Sequence, residues 1–346
     1  MSESWPASAD RPLVNVLRAL SVPGGRVERA GGDPGALFER AELHGLAGVV
    51  HDAWLEAGHP LPEALARKLE GRRVARDLDH GAHLAILHRV NRARDASDLR
   101  AVVLKGPLFA ERFYARPSAR ATSDIDLRGT EGTVDAAAAA LATVGYLPDA
   151  GPREAWFRRE HHHLHLSNPH ALPLELHFHA YRGFGRTMRS EPLLARSLAA
   201  PDALKAISVL AAVDEVVYLA VHAAAHRFVR LGWLYDLVLL IASMTDEALR
   251  DARGRARTAG YGRALALAAE LLHDVLGVER AALLGHLGAV RSPLVHGVVS
   301  EPRSPVLRSA TRFLYTTSLC DSPGAAARYA ARAALDHAKQ LLGAAP

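Results

Sequence analysis

Apolar residues recur at helical spacing over residues 36–55 and again over 63–96, with Gly58, Pro60 and Pro62 breaking the rhythm between the two stretches. In the second stretch His83, Ile86, Leu87 and Val90 fall on one face, which predicts a buried stripe, and Gly81 is a candidate interruption. The period changes at Leu99. Ala101-Val102-Val103-Leu104 is a short apolar run that stops at Lys105-Gly106-Pro107, the pattern of a buried strand entering a sharp turn. Residues 108–114 then predict a short helix and 121–128 a second strand closed by Gly129. A helix over 134–144 follows, with Thr133 at its start and Gly145 at its stop. The His-rich segment 156–167 and the alternating segment 173–180 predict two further strands. Beyond Tyr181 the spacing is helical again. Asp214 leads a helix to Val229, Gly232 separates it from another near Trp233, and more are predicted over 246–258, 263–276, 304–319 and 325–342.

Strand, helix, strand, helix, strand, strand within 99–181 makes a small α/β unit. With an N-terminal helical region, 1–98, and a C-terminal one, 182–346, the expected class is α+β. Net charge is +5 over 346 residues, spread through helices; it suits a polyanionic ligand such as a nucleoside triphosphate and a bland basic surface equally, and favours a nucleic-acid groove less. Cys320 is the one cysteine, which excludes an intrachain disulfide and a multi-Cys zinc site. The opening Met-Ser-Glu-Ser-Trp-Pro has no basic segment followed by an apolar one, and the apolar region 216–243 is interrupted by His222, His226, Arg227, Arg230 and Asp236. A cytoplasmic protein with no membrane partner is the expectation.

The chemistry concentrates in Ser123-Asp124-Ile125-Asp126-Leu127. Alternate residues of a strand share a face, so Asp124 and Asp126 point one way and Ile125 and Leu127 the other. Two carboxylates so close repel unless water screens them or a cation lies between them. Hard oxygens on one face suit Mg²⁺, or Mn²⁺ in its place, together with substrate phosphates. On this reading, replacing either carboxylate by an amide relieves repulsion in the metal-free protein. The other reading of the triplet is a strand face bearing two solvated aspartates. No Gly-x-x-x-x-Gly-Lys-[Ser/Thr], Gly-x-Gly-x-x-Gly or Gly-x-Ser-x-Gly occurs, which disfavours a P-loop enzyme, a Rossmann dehydrogenase and an α/β hydrolase.

Leu104-Lys105-Gly106, Tyr114, Arg120 and Asp124-Ile125-Asp126-Leu127 resemble the signature of the uncharacterised nucleotidyltransferase family, a branch of the polymerase-β-like superfamily. Leu174-Glu175-Leu176-His177 resembles its third-carboxylate strand. His222, His226, Arg230, Leu231, Trp233 and Asp236 resemble its helical signature, and the likeness in rhythm runs over about 38–241. The resemblance implies a small mixed-sheet core and transfer of a nucleoside monophosphate from an NTP, ATP first among them, to an acceptor hydroxyl of a small molecule, peptide or protein. It implies metal-binding Asp124, Asp126 and Glu175, with Glu175 as third ligand or as base for the acceptor. Lys105, Gly106, Arg120 and Ser123 would meet the phosphates, and His222, His226 and Arg230 would lie beside the nucleotide. One departure stands out: the superfamily's first turn carries Gly-Ser, whereas here Pro107 follows Gly106 and offers neither hydroxyl nor N–H. Phosphate contact would then rest on Lys105, the Gly106 amide and the helix N-terminus. A catalytically inactive nucleotide-binding or interaction module of the same fold is the alternative this departure supports.

Several residues keep two readings. Lys105 is a phosphate ligand or a structural surface lysine. Arg120 neutralises a phosphate or braces the carboxylates, or it is a surface loop arginine paired with Asp124 or Glu111. Arg116 reads as solvent-exposed. His161, His163 and His165 share one strand face and Glu175, His177 and His179 the next; these faces line the nucleotide cleft, stand exposed, or assemble the zinc site of a hydrolase. His222 and His226, four apart, share a helix face as packed core histidines or as neighbours of the nucleotide, with Trp233 in the core and Asp236 bracing the basic group.

Overall fold

The computed structural model describes residues 8–28, 33–95, 101–129, 131–148, 162–200, 204, 207–288 and 305–341. The N-terminal helical spacing becomes α1 (Arg11–Leu20), α2 (Pro34–Leu43), α3 (Ala47–Glu56) and α4 (Glu63–Asp95). The run expected over 36–55 is two helices, because the chain turns at 44–46. Gly81 does not interrupt α4, since a lone glycine costs a long helix only about 1 kcal/mol. His83, Ile86, Leu87 and Val90 are buried, as their spacing predicts.

The next elements follow the expected order: β1 (Ala101–Val103), α5 (Pro107–Phe113), β2 (Ile125–Arg128), α6 (Val134–Ala142), β4 (His163–Ser167) and β5 (Leu174–His177), with a two-residue β3 (Leu147–Pro148) beside β4. The early part of the expected His-rich strand, 156–161, lies outside the described residues. β1 pairs antiparallel with β2, β2 parallel with β5, and β5 antiparallel with β4, giving a mixed sheet. Its strand order is β3-β4-β5-β2-β1-β9-β8. Two members come from past residue 181: β8 (Leu198–Ala199) and β9 (Ile207–Val209), the latter parallel to β1. Between them and β5 lie the hairpin β6 (Tyr181–Gly183) and β7 (Arg186–Met188) and the short helix α7 (Glu191–Ala195).

Strand alternation separates two chemistries. Val103, Ile125, Leu127, Leu164, Leu166, Leu174 and Leu176 pack on Ile86, Leu87 and Val90 of α4 and on Val134 and Leu141 of α6. The opposite face presents Val102 and Leu104 to the larger core, and the same face carries Asp126, Arg128, Glu175 and His177. That larger core is built on α8 (Ala212–Ala225), α9 (Leu231–Ala242), α10 (Asp246–Ala259) and α11 (Gly262–Leu276), followed by α12 (Pro305–Ser318) and α13 (Pro323–Leu341). Helix α8 starts ahead of Asp214, which does not lead it. Asp214 is buried and held by Arg196 (2.8 and 2.9 Å) and Arg255 (3.3 Å).

The N-terminal helices are tied to α9 through His44. The Leu231 N–H donates to its Nδ1 (3.2 Å), so Nε2 carries the proton shared with the buried Asp10 (3.0 Å). Next to this contact the Gly232 N–H donates to the His44 carbonyl (3.1 Å), and a Cβ on Gly232 would stand 2.6 Å from that oxygen. Gly232→Ala therefore forces apart two backbones. It is expected to lower stability by about 1–3 kcal/mol, the usual range for overpacking, measured by urea denaturation. An unchanged midpoint would mean that α2 and α9 can separate freely.

Candidate active site

The Leu104 N–H donates to the Asp126 carbonyl (3.1 Å) and extends the β1–β2 ladder one residue past Val103. Lys105 thus leaves the sheet edge beside Asp126. Gly106 takes φ 82° and ψ −138°, a conformation that L side chains rarely adopt, and opens α5 with Pro107 at its first position. The turn presents Lys105 Nζ 2.6 Å from Asp126 Oδ2 and 3.0 Å from Asp124 Oδ1. Asp124 lies just ahead of β2, after the exposed Ser123, yet both aspartates meet one ammonium. The parallel register sets Asp126 opposite Glu175, and His177 follows on the same face. His177 Nε2 lies 3.0 Å from Asp126 Oδ1 and 3.3 Å from Glu175 Oε2, while His163 Nε2 lies 3.8 Å from Glu175 Oε1. The result is a chain of alternating acidic and basic side chains: Asp124, Lys105, Asp126, His177, Glu175, His163.

Burial differs along this chain in a way that matters. The Asp126 side chain is 2% exposed, whereas those of Asp124 and Glu175 are 30% and 26% exposed and open to a ligand. Burial would raise the Asp126 pKa, but the Lys105 charge and the His177 hydrogen bond outweigh it and hold the carboxyl well below its usual range. Burial would lower His177, yet its hydrogen bonds to Asp126 and Glu175 raise it. Glu175 is lowered despite burial, by His177 and His163. Lys105 is raised against burial by the two aspartates.

The sequence expectation that Asp124 and Asp126 face each other uncompensated is overturned. Lys105 stands against both of them, so losing a carboxylate strands a buried cation and relieves no strain. A pH dependence follows. The depressed Asp126 stabilises the fold above its ordinary value of 3.8, and that contribution is lost as pH falls toward its folded value. The raised His177 stabilises fully below its ordinary 6.5, and that contribution is lost as pH rises through its folded value. The pair therefore contributes most between these two limits. His177→Gln is expected to flatten the melting-temperature profile on the alkaline side of that window; a profile parallel to wild type would remove His177 from the network.

Arg120 enters from the loop after a short turn at Pro117–Ala119 and is corrected in its partner. It pairs with neither Asp124 nor Glu111, whose Oε1 meets His80 Nε2 (2.6 Å). Arg120 forms a two-bond fork with Asp236 on α9, Nε to Oδ1 2.9 Å and Nη2 to Oδ2 2.8 Å, and stacks at 5.5 Å over the Phe109 ring. The Tyr114 hydroxyl donates to the same carboxylate (2.6 Å). Asp236 thus braces the basic group, and the fork joins α9 to the loop leading into β2. Arg116 is also corrected. It is not a solvated side chain, because it forks onto Asp52 (2.8 and 2.9 Å) and reaches Asp77 (3.1 Å).

His222 lies on α8 and His226 at its C-cap, with ring centroids 4.7 Å apart and both within 5.4 Å of Trp233. Arg230 lies 5.9 Å from the Trp233 ring centre. Burial first, then the charge of Lys105, lowers the pKa of both histidines, so they stay neutral close to the acidic cluster. The Tyr218 hydroxyl, on the same helix, is raised by burial and then by Asp126 and Glu175. The charges that act on Tyr218, His222 and His226 are those of Lys105, Asp126 and Glu175, so α8 runs beside the carboxylate face of the sheet.

Among the described residues two groups of three donors lie close enough to hold one cation. Ligand atoms of Asp126, Glu175 and His177 all lie within 4.8 Å of one another, as do those of His162, His163 and His177. His177 was legible as part of a histidine face. Its role as the bridge between two carboxylates was not, because that requires the parallel pairing of β2 with β5. His161 lies outside the described residues. His163 and His165 are on β4, and His179 follows β5.

The sequence model of the uncharacterised nucleotidyltransferase family matches residues 31–277. Neither curated proteins nor solved structures give a match to the chain. Among the described residues no helix is long and apolar enough to cross a membrane.

Proposed function

Because the chain belongs to the uncharacterised nucleotidyltransferase family, we propose that it moves a nucleoside monophosphate from an NTP, ATP first, to an acceptor hydroxyl with release of pyrophosphate. The observation that carries this reading is that one ammonium, Lys105 Nζ, meets both Asp124 and Asp126 while the parallel pairing of β2 with β5 sets Asp126 opposite Glu175. We take residues 99–181 as the catalytic core, 1–98 and 182–346 as the helical regions around it, and the cytoplasm as the compartment.

The donor set fits a divalent cation, since ligand atoms of Asp126, Glu175 and His177 lie within 4.8 Å of one another and two of the three residues are carboxylates, with Asp124 across Lys105 from Asp126. Asp124, Asp126 and Glu175 would hold it, with His177 adjacent; Mg²⁺ or Mn²⁺ suits such oxygens. When bound, such an ion supplies Lewis-acid charge to the triphosphate and lowers the pKa of an attacking hydroxyl. The chain's own residues do the rest. Lys105 neutralises the carboxylates at rest and brings a cation to the place where phosphates must sit. The Gly106 amide opens a helix and offers an N–H to an anion. Arg120, fixed by Asp236, adds a second positive group, and Ser123 a hydroxyl. Glu175, the more exposed partner of His177, is placed to accept the acceptor's proton. His222, His226 and Arg230 form a wall with Trp233 for the base.

Incubation of the purified chain with each labelled NTP and Mg²⁺ or Mn²⁺, read by mass spectrometry and by pyrophosphate release, tests the reading. Binding of NTP that is unaffected by chelator and never accompanied by pyrophosphate would sink it and favour the inactive module.

A further inference from the structure

Three imidazole rings gather where β4 meets β5. The antiparallel register sets His163 directly opposite His177, so both side chains leave the same face of the sheet. His162 precedes β4, where the chain bends, and is pinned to the end of β5: its carbonyl accepts the Phe178 N–H (3.0 Å) and the His179 N–H (3.2 Å). Strand alternation alone groups His163 with His165; the bend brings in His162 instead. One nitrogen of each ring lies within 4.8 Å of one nitrogen of both others. Ring centres are 4.9 Å apart for His162 and His163, 5.0 Å for His163 and His177, and 5.4 Å for His162 and His177. Their interplanar angles of 88°, 40° and 51° exclude face-to-face stacking as the reason for the cluster. A metal bonded to an imidazole nitrogen at about 2.0–2.1 Å lies about 3.2 Å from the ring centre, and tetrahedral angles at the metal then hold ring centres about 5 Å apart. The observed spacing is thus the spacing that one ion imposes on three histidines. His177 is oriented for the task. Its Nε2 is held by Asp126 (3.0 Å) and Glu175 (3.3 Å), and its Nδ1 is buried with no hydrogen-bond partner. Anchoring one ring nitrogen on a carboxylate fixes the ring and makes the other a better donor, the usual arrangement behind a metal-ligating histidine. His162 and His163 are half-buried, so an ion can reach the rings from solvent.

We infer that His162, His163 and His177 form a site for one transition-metal ion of the zinc type, distinct from the carboxylate site for Mg²⁺ or Mn²⁺ beside it. Imidazole nitrogen suits Zn²⁺, Co²⁺ and Ni²⁺, whereas Mg²⁺ keeps to oxygen. Three protein ligands leave one position open, the arrangement of reactive rather than purely structural zinc. Glu175 Oε1, 3.8 Å from His163 Nε2, is in place to fill it. The site does not depend on the nucleotidyl-transfer reading, and its test contains no nucleotide.

The untagged full chain is stripped with chelator, returned to buffer containing excess Mg²⁺, and titrated with Zn²⁺ and, in a second arm, with Co²⁺. Wild type is expected to bind one equivalent of each, to keep Zn²⁺ through dialysis, and to give the intense visible absorption of four-coordinate Co²⁺. His162→Ala and His163→Ala are each expected to weaken Zn²⁺ binding roughly a hundredfold or more, because loss of an outer-shell partner alone costs about 10–100-fold. His165→Ala, on the same strand but outside the three rings, and Asp124→Asn are expected to bind Zn²⁺ as wild type does. Absence of a tight equivalent would overturn the proposal, as would several weak equivalents of equal affinity, which mark scattered surface histidines. So would full affinity in either of the His162 and His163 variants, or loss of Zn²⁺ in Asp124→Asn, which would move the ion to the carboxylates. Should the histidine variants misfold, zinc-edge X-ray absorption of the loaded wild type decides: scattering from three imidazoles supports the site, and fewer than three overturns it.

Discussion

Asp126→Asn is expected to abolish pyrophosphate release and, at the same time, to destabilise the metal-free protein by about 3–5 kcal/mol, the usual cost of breaking a buried ion pair from one side. The variant keeps the shape of the side chain and removes its charge. Lys105 Nζ, 2.6 Å from Asp126, would then lose its buried partner and keep only the more exposed Asp124 at 3.0 Å. His177 would lose a carboxylate acceptor at 3.0 Å as well. Asp124→Asn should behave differently: its carboxylate is partly exposed, so activity falls while stability changes by less than for Asp126. Denaturation of both variants in chelator, beside turnover with Mg²⁺, separates the cases. A melting temperature that rises in Asp126→Asn would restore the picture of two repelling carboxylates and remove Lys105 as their neutraliser. Unchanged turnover in both variants would remove the proposed site altogether.

The second large effect is expected at Asp236. Its carboxylate is 4% exposed and takes both arms of Arg120 together with the Tyr114 hydroxyl. Asp236→Asn leaves a buried guanidinium without a counter-charge, at a cost again of about 3–5 kcal/mol. Tyr114→Phe removes one hydrogen bond to a charged group and should cost about 1.5–3 kcal/mol. Arg120→Lys should not rescue the fork, because an ammonium cannot make two parallel bonds. Urea denaturation of the three variants checks the order. If Asp236→Asn is nearly neutral, the fork is not what joins α9 to the loop before β2, and Arg120 would be free to serve a ligand alone. Loss of activity beyond the loss of folded protein would support Arg120 as a phosphate contact.

Much of the local architecture is written in short-range patterns. The strand before Lys105, the turn at Gly106-Pro107, the Asp-x-Asp strand and the α4 stripe all follow from spacing, because they depend on residues a few positions apart. The same holds for the α+β class and for the helices after Asp214, whose boundaries move by only a few residues. The family signature, from Lys105 to Asp236, was also legible, since each of its motifs is compact. Tertiary structure decided the partners. β9 is a three-residue Ile-Ser-Val strand that joins the sheet only by pairing in parallel with β1, and three residues carry no readable period. Arg120 finds Asp236 across 116 positions, and His177 finds Asp126 across 51. Sequence alone determined that carboxylates, a lysine and an arginine are available near one turn. Whether those charges repel, pair or meet a ligand depends on which cation the fold brings within about 3 Å, because Coulomb energy in a buried site varies steeply with distance and solvent access.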